Sequence, residues 1–359
     1  MKIPLFRPAI NRRDMQAVLE TMVDDTLGPG QLSEQFILAL LDFFDFEGGL
    51  AFREIRRLLD VLFQALGLEE GQGILLSPLL PRVYAETARQ RGIPFDWVDV
   101  DARSGTVGAN ELETALAVSR DFSVAALFCD TALGFVPQLE VLAEQVPALV
   151  LDISKGCGAR YDNAIVGAQA DFLVLMLEEE DILTTGGGAA VLGRTRKQAS
   201  GLSRASDAVS REVFLPDLNA ALGIAQLKEL PQRLHRRREV AEILQRSVMQ
   251  SRHRLLVQPG EVQSVAYGLP VVVETGRSEV AAFAKKKGVE TRPAFEGSII
   301  DAYGAGKEIE ESQDAGIVCS FQAVPNAASL WRQTLLFPLY PSLSGKHVQE
   351  LSRLLVSLP

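Results

Sequence analysis

Cysteine and histidine are scarce in this chain, which has three of each among 359 residues. Cys129, Cys157 and Cys319 are far apart, so neither a disulfide framework nor a metal site is expected, and a reducing, cytoplasmic compartment is predicted. The histidines all lie late in the chain, which disfavours a histidine-based metal centre or nucleophile. No apolar run approaches the roughly 20 residues that cross a bilayer, and the N-terminus lacks the apolar core of a signal peptide.

Positive charge is also limited, because 36 Lys and Arg face 46 Asp and Glu and the formal net charge is -10. A negative chain is repelled by nucleic acids and by anionic membranes, so neither is an expected partner. The short basic clusters at residues 236–238 and 285–287 are expected to be solvated helix faces. Hydrophobic residues make up 47% of the chain, an ordinary balance for a globular protein.

Short apolar segments alternate with amphipathic ones through the first two thirds of the chain. Apolar runs this continuous are typical of strands buried on both faces of a parallel sheet. The predicted strands lie at residues 74–76, 95–100, 124–129, 148–152, 172–176 and 188–192. Helices are predicted between them at residues 53–66, 82–91, 109–118 and 139–145. This alternation predicts a doubly wound α/β sheet with right-handed crossovers.

The pattern changes after about residue 215. A long helical pattern covers residues 218–244, with an interruption expected at Pro231, and a strand-like stretch follows at 265–273. A last helix is predicted at residues 345–358. We therefore predict an N-terminal arm and large, mostly parallel sheet domain over residues 1–235, and a smaller C-terminal α/β domain over residues 236–359.

Several blocks, in this order, resemble the DegT/DnrJ/StrS-type sugar aminotransferases, which are fold-type-I enzymes dependent on pyridoxal phosphate (PLP). GIPFDWVDVD at residues 92–101 is similar to the family's GAKPVFVDVD. NAALGIAQLKEL at residues 219–230 is similar to QAAIGLAQLEKL, and LFPLYPSL at residues 336–343 resembles LPLYPSLT. The resemblance implies the fold-type-I architecture, a homodimer with sites between its subunits, and keto-sugars attached to nucleotides as ligands.

The resemblance places an aspartate where the family has its essential lysine. Thr184, Thr185 and Gly186 are similar to the Thr-Thr-Gly that follows the Schiff-base lysine, and this register puts Asp181 at the lysine position. A carboxylate cannot form an imine with an aldehyde. PLP is therefore a cofactor that the family implies but that this chain is not expected to bind covalently.

Other cofactor positions of the family also differ in this chain. The Gly-Thr turn that holds the phosphate falls near Ile55 and Arg56, with Gly48-Gly49 as an alternative, shifted turn. The second phosphate hydroxyl falls on Met176, and the aromatic side chain that covers the ring falls near Pro81. The partner-subunit asparagine that reaches the phosphate falls near Glu212.

Two residues stay candidates for cofactor binding, and two for catalysis. Asp152 occupies the position of the aspartate that pairs with the pyridine nitrogen, and it could equally cap the turn at Ser154. Lys155 could be a surface lysine, an ion-pair partner of Asp152 or Asp181, or an amine that replaces the lost lysine. Asp181 itself is a candidate base.

We therefore predict a degenerate homologue without transaminase activity, which serves as a binding or partner subunit in polysaccharide or sugar biosynthesis. The alternative is an active sugar aminotransferase, or a lysine-independent PLP enzyme, that uses Lys155 or Asp181. Whether the chain is an enzyme stays open at this point. A homodimer and a nucleotide-sugar ligand are the expected partners, and no metal is expected.

Overall fold

The computed structural model describes residues 2–24, 27–304 and 317–359. Within these ranges the strands are β1 Gly48–Phe52, β2 Gln72–Leu76, β3 Phe95–Trp97, β4 Ser123–Asp130, β5 Leu149–Asp152, β6 Arg160–Tyr161, β7 Ala164–Ile165, β8 Phe172–Met176, β9 Ala189–Gly193, β10 Arg254–Leu255, β11 Leu269–Val272, β12 Arg292–Pro293 and β13 Thr334–Phe337. The α-helices are α1 Arg12–Val23, α2 Gln31–Phe44, α3 Ile55–Leu66, α4 Val83–Gln90, α5 Ala109–Ala117, α6 Leu139–Ala143, α7 Arg196–Ser206, α8 Asp217–Val248, α9 Arg277–Lys286, α10 Ile299–Tyr303, α11 Pro325–Gln333 and α12 Gly345–Val356.

A seven-stranded sheet with the order β1-β9-β8-β5-β4-β2-β3 forms the centre of the large unit. The pairs from β3 to β8 are parallel, and β9 runs antiparallel to both of its neighbours. The inner strands are almost wholly buried because helices cover both faces of the sheet. The predicted α/β architecture with a large, mostly parallel sheet is confirmed.

A second, four-stranded antiparallel sheet with the order β10-β11-β13-β12 builds the smaller unit. Its separate hydrophobic core includes the second half of α8, through Val240, Leu244 and Val248, and also Ile3 from the N-terminal arm. Because α8 is one continuous helix that contacts both cores, the domain boundary at residue 235 falls inside a helix and stays a prediction.

Pro231 does not interrupt α8, which differs from the prediction. A proline inside a helix removes one backbone hydrogen bond and is unfavourable by itself. Here Leu227, Leu230 and Leu234 on either side are buried in the main core, and this packing holds the helix together across the proline.

Gly48 and Gly49 lie in β1, so the interpretation of this pair as a phosphate-binding turn is wrong. A Cβ atom on Gly48 would lie 2.5 Å from the Cβ of Ala199 in α7. A Cβ atom on Gly49 would lie 2.5 Å from the Leu192 side chain of β9. These glycines allow β1 to approach its neighbours closely. Among the described residues, no helix combines the length and apolar character needed to cross a membrane.

Candidate functional site

The candidate residues come together at the carboxyl edge of the central strands. Asp130 ends β4 and Asp152 ends β5, and the two are paired neighbours in the parallel ladder. Lys155 follows β5 after a tight turn, and Asp181 lies in the loop between β8 and β9. Ligands of open α/β sheets bind at this edge, so the predicted residues are placed where a site is expected.

Asp152 is a buried carboxylate with hydrogen bonds to both of its oxygens. The Tyr84 hydroxyl donates to Oδ2 at 2.8 Å. The backbone N–H of Ser154 donates to Oδ1 at 3.0 Å, and the Ser154 hydroxyl donates to the same oxygen. Ser154 Oγ also accepts the Met176 N–H at 2.7 Å, which ties β8 to this turn. The capping contact with Ser154 is therefore present, while the pairing of Asp152 with a pyridine nitrogen stays a prediction.

Tyr84 and Asp130 belong to this cluster, although the sequence analysis did not single them out. Burial, followed by the charge and hydrogen bond of Asp152, raises the pKa of the Tyr84 phenol well above its usual value. Burial also raises the pKa of Asp130 to about 7, against the lowering effect of the Lys155 ammonium. Asp130 ends its strand as Asp152 does, which is a signal that could have identified it.

Asp181 is tied to its own loop. Its Oδ2 accepts the backbone N–H of Glu178 at 2.9 Å, and its N–H donates to the Glu178 carbonyl at 3.1 Å. The desolvation of the Asp181 carboxylate, and then the charge of Asp152, raise its pKa to about 8, although the Glu178 N–H and the Lys155 ammonium lower it. The N–H groups of Thr185 and Gly187 both donate to the Leu177 carbonyl and close the loop.

Lys155 is half-buried, and its Nζ lies 5.8 Å from the centroid of the Tyr267 ring. No carboxylate of the described residues lies within 4.0 Å of this nitrogen, so the direct ion pair with Asp152 or Asp181 is not formed. The charge still acts at a distance, because it lowers the pKa values of Asp130 and Asp181. The role of Lys155 as a replacement amine stays a prediction.

The start of α3, where the family resemblance places the phosphate, lacks the groups that bind an anion. Such sites combine a tight glycine turn with free N–H groups at a helix N-terminus. Here the residues before the helix are Arg53 and Glu54 instead of a glycine turn, and the acidic Glu54 at the N-cap would repel an anion even though it does not cap the first N–H groups. The Arg56 guanidinium lies 2.7 Å from Glu86, so it is engaged elsewhere. Arg57 pairs with Asp60 at 3.6 Å.

The space next to Asp181 is small. The cavity that Asp181 lines has a volume of about 20 Å³, and the N-terminal arm at residues 6–9 covers it. Sites for drug-sized ligands usually have volumes of about 300–1,000 Å³. Position 181 has no amine, the start of α3 has no glycine turn, and Tyr84 already bonds to Asp152, so the residues present do not fit PLP. Within the described ranges, no three acidic, cysteine or histidine side chains are arranged to hold a metal ion.

Comparison with solved structures defines the class of protein as the fold-type-I aminotransferase fold. The TM-score is 0.86 to Helicobacter pylori PseC, an aminotransferase involved in the biosynthesis of pseudoaminic acid, with 16% identity over 99% of this chain and 98% of that chain. It is 0.85 to Streptococcus pneumoniae Spr1654 in its PLP form, with 16% identity over 99% of this chain and 98% of that chain.

The sequence profile of the DegT/DnrJ/EryC1/StrS aminotransferase family matches residues 8–355, and the chain belongs to this family. Spore coat polysaccharide biosynthesis protein SpsC of Bacillus subtilis is 23% identical over 385 residues, which cover 97% of this chain and 95% of SpsC. A Campylobacter jejuni UDP-4-amino-4,6-dideoxy-N-acetyl-beta-L-altrosamine transaminase is 24% identical over 249 residues, covering 64% of this chain and 65% of the transaminase.

Proposed function

We propose that this family member does not transaminate and that it acts as a binding or partner subunit in polysaccharide or sugar biosynthesis. The observation that carries the proposal is Asp181 at the lysine position, with its carboxylate bonded to the Glu178 N–H instead of facing a ligand as an amine would. The names of SpsC and of PseC refer to polysaccharide and pseudoaminic acid biosynthesis, and they support a sugar pathway.

The charges at the site support the same proposal. The Asp152 charge raises the pKa values of Asp130 and Asp181, and the Lys155 ammonium lowers both without returning either to its usual value. A dianionic phosphate would be repelled by the Asp152 carboxylate and would disfavour ionisation of Asp130 and Asp181 further, and the glycine turn that would hold it is missing at the start of α3. Burial of an uncompensated charge costs several kcal/mol, so we expect PLP to bind weakly here.

One observation favours the alternative of an active enzyme. The Lys155 amine has no carboxylate within ion-pair distance among the described residues, so it is not held in a structural salt bridge. Asp181, with a pKa raised to about 8, would be an effective proton acceptor near neutral pH. This alternative requires that Lys155 or Asp181 replaces the missing lysine, and it is tested together with the main proposal.

Purified protein mixed with PLP is expected to show no aldimine absorption band that borohydride reduction removes. The physical reason is that position 181 has no amine and that the start of α3 has no glycine turn to bind the phosphate. Peptide mapping after reduction should find no stoichiometric label on any lysine. Stoichiometric labelling of Lys155, absent from Lys155→Met and retained in Lys228→Met, would instead establish the alternative, because Lys228 is an exposed lysine on α8.

We also propose that the chain is a homodimer. An apolar groove of about 600 Å³ lies between α2 and β1, and Leu38 at its rim is 63% exposed. On α1, Met15, Leu19 and Val23 are also exposed. Exposed apolar surface of this kind often marks an interface, and twofold pairing would cover it on both copies.

Light scattering at micromolar concentration is therefore expected to give about twice the chain mass of 39.1 kDa. Leu38→Glu should shift the protein towards the monomer, because it places a charge in an apolar interface. Met249→Glu is the matched control, since Met249 is 73% exposed at the end of α8. A wild-type mass of one chain would contradict the dimer.

A further inference from the structure

Tyr84 is positioned as if it were an aromatic ligand of Asp152. Its ring is fully buried, and its hydroxyl donates to Asp152 Oδ2 at 2.8 Å. The ring packs edge-on against Phe128 of β4, with 6.1 Å between the centroids. The chain itself therefore supplies a flat ring with a hydrogen-bond donor that contacts the carboxylate at the carboxyl end of β5.

The segment before α4 closes this region on a second side. The N–H groups of Ile299 and Ile300 donate to the carbonyls of Leu80 and Pro78, both at 2.9 Å. Leu80, Ile299 and Ile300 are fully buried, so the loop after β2 is fixed to α10 by both backbone bonds and apolar contacts. An external ring that used Asp152 Oδ2 would have to displace the Tyr84 hydroxyl, on a loop and helix that this contact holds in place.

We propose that Tyr84 is a built-in substitute for a ring ligand: its phenol fills an aromatic site at Asp152, keeps PLP out, and leaves a site for small aromatic donors when it is removed. This inference deepens the proposed function and rests on it, because it assumes that no cofactor uses the ring position. The Tyr84 side chain, as well as the altered phosphate position at the start of α3, then prevents PLP from fitting.

The chemistry defines which ligands should fit. Asp152 keeps its bonds from Ser154 when the phenol is removed, but Oδ2 loses its donor in a buried environment. An unsatisfied buried acceptor is unfavourable, so a ring that brings an O–H or N–H should bind better than a hydrocarbon ring. Phenol and the 4-methylpyridinium ion satisfy this requirement and toluene does not. Apolar cavities of about 150 Å³ bind small aromatic rings in other proteins.

The test is the thermal stability of full-length Tyr84→Ala with each of these compounds. The variant should melt about 5 °C below wild type, as expected for loss of a buried aromatic ring in a chain of this length. Phenol and 4-methylpyridinium should raise its melting temperature by a few degrees and bind about tenfold more tightly than toluene. Wild type should not respond, and neither should Tyr84→Phe, which keeps the ring and leaves no space.

Phe128→Ala is the matched cavity control, because it removes a neighbouring buried ring that has no bond to Asp152. It should take up toluene as readily as phenol. Equal stabilisation of Tyr84→Ala by phenol and toluene, or by neither, would overturn the proposal. If Tyr84→Ala does not fold alone, refolding with phenol or toluene decides the same question: recovery with phenol alone supports the proposal, and any other result overturns it. Imine formation is not measured here, so the proposed function and this inference can fail separately.

Discussion

Raising the pH from about 5 to about 9 should lower the free energy of unfolding of this protein by about 4 kcal/mol, and Asp130→Asn should remove most of this loss. Asp130 is 6% exposed, and burial raises its pKa from 3.8 to about 7. A folded state with a raised carboxyl pKa holds the proton more tightly than the unfolded chain does. The stabilisation is therefore complete below pH 3.8, and it is lost as the pH rises through about 7. Asp181, with a pKa of about 8, adds a smaller contribution of the same sign because its side chain is partly exposed.

Urea unfolding of wild type and variants at several pH values measures this effect. Asp130→Asn cannot ionise, so it should be the more stable protein at high pH and show a flatter dependence. Lys155→Met should be less stable than wild type at high pH and show a steeper pH dependence, because it removes the cation that lowers the pKa values of Asp130 and Asp181. Asp121→Asn, at an exposed position, is the control and should follow wild type. Parallel pH curves for wild type and Asp130→Asn would show that Asp130 does not carry the effect.

The central strands could be predicted from the sequence because each is a continuous apolar run. The runs at residues 124–129, 148–152 and 172–176 agree with β4, β5 and β8 within one residue at each end. A strand buried on both faces needs this composition, so the signal is local. The continuous course of α8 through Pro231 could not be predicted in the same way, since it depends on packing against distant parts of the chain.

The candidate site could be predicted in part for the same reason. Asp152 ends a recognisable strand, and the resemblance placed Asp181 and Lys155 near it; all three lie at the carboxyl edge of the sheet. Tyr84 could not be found, because its hydroxyl reaches a carboxylate 68 positions away and nothing in α4 itself indicates that contact. The bond between Arg56 and Glu86 could not be predicted either, because it depends on how α3 packs on α4.

These contacts show that the candidate site differs from a family site in more than the lysine position. Loss of the lysine alone would leave a cofactor pocket without its imine. In this chain, however, Tyr84 bonds to Asp152, Arg56 bonds to Glu86, and the Asp181 carboxylate closes its own loop. Tyr84, Arg56 and Asp181 thus all bond to other groups of the chain, which supports the proposal that this site does not use PLP.

Asp181→Lys is therefore expected to show no transamination of a nucleotide-linked keto-sugar with glutamate. The variant supplies an amine, but the start of α3 still lacks a phosphate turn, and Met176 still replaces a hydroxyl. Tyr84 still occupies Asp152. Turnover should stay at the wild-type background, whereas enzymes typically reach about 10 per second. The loop also loses the acceptor for the Glu178 N–H, so a modest loss of stability is expected.

Two further variants separate the barriers to activity. Asp181→Lys combined with Tyr84→Ala opens the ring position but leaves the phosphate end unchanged, and we expect PLP to bind weakly and without turnover. Asp181→Lys combined with Met176→Ser restores one phosphate contact but keeps Tyr84 in place, and it should remain inactive as well. Turnover in the single Asp181→Lys variant would show that neither barrier exists. Turnover only in the combination with Tyr84→Ala would show that the ring position, and not the phosphate end, excludes the cofactor. Because a PLP site must hold the amine, the ring and the phosphate at once, restoring one of the three should leave the other two to prevent catalysis.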